Sequence, residues 1–164
     1  MTDEDFKRTL ESGEWAEEIV AEYIKANGFQ IKHFWKDKEY DILAEKDGKE
    51  IKIEVKLDQS PLEHTINIEY YSNGTASGIS VTEADYYFCL QPKTDELMRM
   101  KVDDIKETIL MKGDEIVKTN KGSHGRLAIM YNMYKDEIKN QRIKIDWRKY
   151  ETKKYVRPDK LKKL

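Results

Sequence analysis

The chain reads as α/β, a small mixed β-sheet flanked by helices, and three observations lead there. An apolar stripe at helical spacing fills the first 27 residues, a run at strand period with an Asp-Gly turn follows at residues 40–56, and a second helical stripe spans Val102 to Lys112 before another β-rich run. Helices and strands alternating within 164 residues imply one layered core, and that length can bury it without staples.

Phe6 and Leu10 begin the first stripe; Trp15, Ile19, Val20, Tyr23 and Ile24 continue it, and Asn27-Gly28 supplies the stop. Ser12-Gly13 is expected to divide it into a short leader and a longer helix. The polar side of the longer helix carries Glu14, Glu17, Glu18 and Glu22. Acids near a helix N-terminus also suit the helix dipole, so their presence alone assigns no chemistry. Residues 29–35 alternate as a first strand.

Residues 40–56, Y-D-I-L-A-E-K-D-G-K-E-I-K-I-E-V-K, form two strands joined by a tight turn at Asp47-Gly48. Ile51, Ile53 and Val55 alternate with Lys52, Glu54 and Lys56. With a side-chain period of two, Glu54 and Lys56 share the face opposite the apolar residues, and the antiparallel return brings Asp41 beside them. Charge alternation on an outer hairpin face is equally what solvation produces.

Residues 65–71 are β-rich, a further strand or its edge. Thr82-Glu83-Ala84 reads as a short helical turn, and Tyr86-Tyr87-Phe88-Cys89-Leu90 as a buried strand that Pro92 ends. The stripe from Val102 is a helix ending at Gly113. A glycine-flanked basic loop, 121–126, then feeds residues 127–131 as the last strand of the body.

Cys89 is the lone cysteine, which excludes a disulfide framework and a cysteine-rich zinc site. His33 and His64 lack a second histidine at ligand spacing. No apolar run approaches the length of a membrane span, and the opening M-T-D-E-D-F-K-R lacks the order of a signal peptide; the expectation is a soluble, cytoplasmic protein without membrane contact.

The net charge of −2 hides an asymmetry: residues 139–164 hold eleven Lys/Arg and three Asp/Glu, against nineteen and twenty-nine in the rest. The reading is a domain over 1–138 and a basic extension over 139–164, partly packed because Ile143, Ile145 and Trp147 alternate. Lys121, His124 and Arg126 in the loop are candidates for DNA-backbone contact, as are Arg148, Lys149, Lys153 and Lys154 in the extension, where aromatics interleave.

Gly13-x-x-Ala16-Glu17 with apolar Val20, Ala21 and Ile24, then Gly28-Phe29, together with Asp41-(x12)-Glu54-x-Lys56, resembles the PD-(D/E)xK nuclease superfamily. Within it the chain is most similar to archaeal-type Holliday junction resolvases and related phage nucleases, over residues 13–91. Tyr40 stands where the motif's name has proline. The resemblance implies a restriction-endonuclease-like core and a catalytic set of Glu17, Asp41, Glu54 and Lys56. It also implies Mg²⁺, with Mn²⁺ as a substitute, held by Asp41, Glu54 and the Val55 main-chain carbonyl, with Glu17 binding a second ion or a ligating water. Phosphodiester hydrolysis needs a hard cation with oxygen ligands, and Lys56 is placed to position water or stabilise the transition state.

Glu14 and Glu18, one helical turn and one residue away, are alternatives for the helix glutamate, and Glu69 and Gln91 are additional candidates. The implied activity is metal-dependent DNA endonuclease, structure-selective on branched DNA, in a homodimer that cuts two strands symmetrically. Such an enzyme would serve DNA recombination or repair, and phage origin would suit it. The alternatives are a restriction-like or repair endonuclease on duplex DNA and a non-catalytic nucleic-acid-binding protein of the same fold.

Overall fold

The first apolar stripe folds as one unbroken helix, α1 (Asp3–Ala26). The structure, a computed structural model, describes residues 3–34, 40–59, 64–72, 75–112, 117–121 and 127–151. The expected break at Ser12-Gly13 does not occur. A glycine inside a helix costs roughly 1 kcal/mol, and burial of Trp15, Ala16 and Ile19 against the sheet outweighs it. Gly28 ends the helix with φ +92°. Its N–H reaches the Lys25 carbonyl and that of Phe29 the Ile24 carbonyl, the paired bonds of a glycine-terminated helix.

A six-stranded sheet follows, in the order β1 (Gln30–Phe34), β2 (Ile42–Lys46), β3 (Lys49–Leu57), β6 (Tyr86–Gln91), β7 (Glu96–Lys101), β10 (Gln141–Lys144). β1, β2 and β3 form an antiparallel meander. Asp47 (φ +53°) and Gly48 (φ +78°) make the two-residue turn between β2 and β3, both left-handed as such a hairpin requires. β6 then lies parallel to β3, and β7 returns antiparallel after a turn at Pro92–Thr94. β10 closes the edge against β7. β6 is buried on both faces, which is why its sequence is continuously apolar: Phe88 and Leu90 join one core while Tyr87 and Cys89 join the other.

The second sheet has the order β5-β4-β9-β8, with β4 (Thr65–Ser72), β5 (Thr75–Ala76), β8 (Val117–Lys121) and β9 (Leu127–Tyr134). The run at residues 65–71 is thus a strand, but of a sheet separate from the hairpin's. The helical turn expected at Thr82 lies four residues earlier, at Gly78–Ser80. There a Cβ on Gly78 would stand 2.2 Å from the Glu69 carbonyl oxygen, so only glycine permits the approach.

Three layers result. On one face of the six-stranded sheet, Trp15, Ile19, Val20 and Ile24 of α1 pack on Ile42, Ile53, Val55, Phe88 and Leu97. On the other face, Ile66, Ile68 and Met133 of the second sheet, with Val102 and Ile105 of α2 (Val102–Lys112), cover Tyr87, Cys89, Met98 and Met100. Residues 141–150 belong to the body. Trp147 is fully buried, edge-on to Trp15 at 5.4 Å between ring centroids, and its indole N–H donates to the Pro92 carbonyl and the Asp95 carboxylate.

Candidate active site

The open end of the β2–β3 hairpin gathers the candidate residues. Asp41 sits just before β2, where its N–H donates to the Ile53 carbonyl at 2.8 Å. The Val55 N–H donates back to Asp41 Oδ2 at 2.7 Å, which fixes the carboxylate beside the Glu54–Lys56 segment. Glu54 and Lys56 share one strand face, with Lys56 Nζ 3.5 Å from Glu54 Oε1. Glu17 arrives from α1, where its neighbours Ala16 and Val20 are locked in the core, and its carboxyl hydrogen-bonds to Asp41. Glu14 acts on Glu17 through its charge, and Glu18 lies half-buried one position along. Glu17 is the helix glutamate bonded to Asp41.

These acids are poorly compensated. Burial raises the Glu17 pKa to about 8, with repulsion from Asp41, Glu14 and Glu54 adding to it. Burial, then the Asp41 charge, takes Glu54 to about 7 against the opposing pull of Lys56. Asp41 is also raised by burial, although the Val55 N–H, the Lys56 charge and the Glu17 bond hold it back. Glu17 is therefore the protonated donor of the Glu17–Asp41 pair.

Thr82 belongs to the same site: its hydroxyl donates to Glu54 Oε2 at 3.4 Å and accepts the Ala84 N–H. Its spacing suggests only a turn, because the sequence does not reveal that residues 82–85 run beside β3. Asp58 continues the Glu54, Lys56 alternation by two residues, a signal readable from period alone. Its carboxylate accepts from Gln91 Nε2 at 2.8 Å, and Gln91 Oε1 accepts from Lys135 Nζ at 2.6 Å. Gln91 is thus a buried brace between Asp58 and Lys135.

Glu69 stands on the second sheet, its carboxylate accepting from the Ser77 hydroxyl at 3.1 Å. It reaches the hairpin acids with no described hydrogen bond. Arg148 lies over the Trp147 ring at 4.1 Å and Lys149 over Tyr150 at 5.3 Å. Lys121 ends β8. His124, Arg126, Lys153 and Lys154 lie outside the described residues.

Among the described residues no three His, Cys, Asp or Glu side chains stand in a metal-ligating arrangement. The donor chemistry still suits a hard cation. Mg²⁺ is commonly held by one or two carboxylates together with water and substrate phosphate, and Asp41 and Glu54 provide two, anchored by backbone and by Thr82. Among the described residues no helix is long and apolar enough to cross a membrane. Comparison with protein-family models, with curated proteins and with solved structures finds no match to this chain.

Proposed function

We propose that this chain is a Mg²⁺-dependent endodeoxyribonuclease of the PD-(D/E)xK kind, with Glu17, Asp41, Glu54 and Lys56 as its working residues. The observation that carries the reading is the meeting of three acids from α1, the start of β2 and β3 beside one lysine, each with its pKa raised by burial. Strongly perturbed acids gathered at one point are costly to a fold and are a feature of reactive sites. The element order is compatible with an α/β core of this kind: a helix, a three-stranded meander, then a strand parallel to the third.

Asp41, Glu54 and the Val55 carbonyl would hold Mg²⁺, or Mn²⁺ in its place, with Glu17 serving a second ion or a ligating water. Bound there, the cation supplies Lewis acidity toward the phosphate and toward water. The chain's residues do the rest. The Val55 N–H keeps the Asp41 carboxylate oriented in advance. Lys56, partly exposed, presents its ammonium where negative charge develops on a phosphate. Glu17 keeps a proton on the Asp41 pair and releases it when positive charge takes its place.

Junction-resolving selectivity and a homodimer are the form the motif resemblance favours. The test is cleavage of labelled four-way junction, flap, linear duplex and single strand with Mg²⁺, Mn²⁺ or EDTA, run beside Lys56→Ala. Metal-dependent cutting that Lys56→Ala removes is the expected result, and the fastest substrate names the specificity. Absence of cutting on every substrate overturns the reading.

A further inference from the structure

A cavity of about 600 Å³ opens at the opposite end of the β2–β3 hairpin, between the C-terminal end of α1 and the sheet face formed by β3, β6, β7 and β10. From Lys49 to Glu54 the strand advances roughly 17 Å, so this cavity is separate from the acid cluster. Its volume falls within the range of small-ligand sites.

The lining joins two chemistries. Lys46 and Lys49 flank the hairpin turn and Arg99 projects from β7, three cations against the single acid Asp47. Aromatic rings stand beside them: Lys46 Nζ lies 5.3 Å from the Phe29 ring centroid, and the Arg99 guanidinium 4.8 Å from that of Tyr86. Lys46 also donates to the Asn27 carbonyl at 3.1 Å, which holds it at the rim, and Arg99 reaches Gln141 Oε1 at 3.5 Å. A ligand that satisfies both halves carries a planar ring and negative charge on one small body.

The chain beyond Glu151 holds six Lys/Arg and one Asp, the same sign as the cavity, so its charge does not complement the lining. A nucleotide fits: rings and a guanidinium plane accept any base by stacking, and the lysines meet its phosphate.

We propose that this cavity binds one nucleotide unit, its base against the Phe29 and Tyr86 wall and its phosphate among Lys46, Lys49 and Arg99. The unit comes either from a free nucleotide or from the end of a strand. The site does not depend on the nuclease reading.

The test is calorimetric titration of the full chain in EDTA, so that no cutting intervenes, with dAMP, deoxyadenosine, inorganic phosphate and a 5′-phosphorylated oligonucleotide. dAMP is expected to bind at least tenfold tighter than either deoxyadenosine or phosphate. Lys49→Glu with Arg99→Glu, both exposed and checked for unchanged circular dichroism, should weaken it at least tenfold. Lys49→Gln with Arg99→Gln serves if the first pair misfolds. An oligonucleotide that binds tighter and is displaced by dAMP indicates a strand end; equal affinity indicates the free nucleotide. Phosphate binding as well as dAMP, no dAMP binding, or indifference to both variant pairs overturns the proposal.

Discussion

Two charged clusters lie within reach of the same sheet, and they are built on opposite principles. Around Glu96 the charges are matched. Lys135, 1% exposed, donates to Glu96 Oε1 at 3.0 Å and to Gln91, while Arg142 contacts Glu96 Oε2 at 2.9 Å. Burial raises the Glu96 pKa, but the bonds from Arg142 and Lys135 win and hold it below the usual glutamate range. Around Asp41 three acids share one lysine, and all three are pushed upward. Matched charge holds structure together, whereas unmatched charge is stability left unspent and marks the place where a cation or a proton is wanted.

The largest effect should come from breaking the matched cluster. Lys135→Met strips Glu96 and Gln91 of a buried donor, and a cost of about 3 kcal/mol is expected by denaturant unfolding, near the lower limit for a broken buried pair because Arg142 remains. A change below about 0.5 kcal/mol would erase the contrast between the clusters.

Breaking the unmatched cluster should do the reverse. With folded pKa values near 7 and 8 against an ordinary 4.5, Glu54 and Glu17 favour the fold while protonated. That contribution is complete below about pH 4.5 and disappears as pH rises through 7 to 8. Glu54→Gln should therefore stabilise the metal-free protein at pH 8 by about 1–2 kcal/mol, a Tm gain of a few degrees, and leave it unchanged at pH 4.5. Equal effects at the two pH values would locate the stabilisation in packing.

Millimolar Mg²⁺ or Mn²⁺ should raise the wild-type Tm at pH 8 by roughly 2–4 °C and Asp41→Asn by much less, since a ligand that binds only the folded state stabilises it. The smallest change belongs to the tail. Removing residues 152–164 should leave Tm within about 1 °C but weaken DNA binding and flatten its dependence on salt, measured by anisotropy at several ionic strengths.

What could be read in the sequence was local. The stripe of α1, the Asp-Gly turn and the Glu54, Lys56 alternation depend on neighbours within a few residues, and they place Asp41, Glu54 and Lys56 together; Glu17 joins them in the sequence only through the motif resemblance. What escaped depends on distant partners. β7 hides because Leu97 and Met98 are adjacent yet both buried, one in each core, which removes the period-two signal. β10, Q-R-I-K, is legible in part, because Ile143, Ile145 and Trp147 alternate as a packed strand does, but the charge an edge strand shows to solvent leaves it inside the basic extension. Lys135 reads as a surface lysine until Gln91 and Glu96 are found around it.

The parallel pairing of β3 with β6 carries a further consequence, for synthesis. The chain between them makes β4, whose partner β9 is 56 to 69 residues further on. At roughly 5–20 residues per second, β4 waits about 3 to 14 seconds for that partner. Through that interval Ile66 and Ile68, fully enclosed in the finished molecule, have no β9 beside them. The acid-bearing hairpin folds early and locally, while β9, which completes the sheet packed over β6 and β7, arrives late, so the nascent chain passes through a stage that invites chaperone capture.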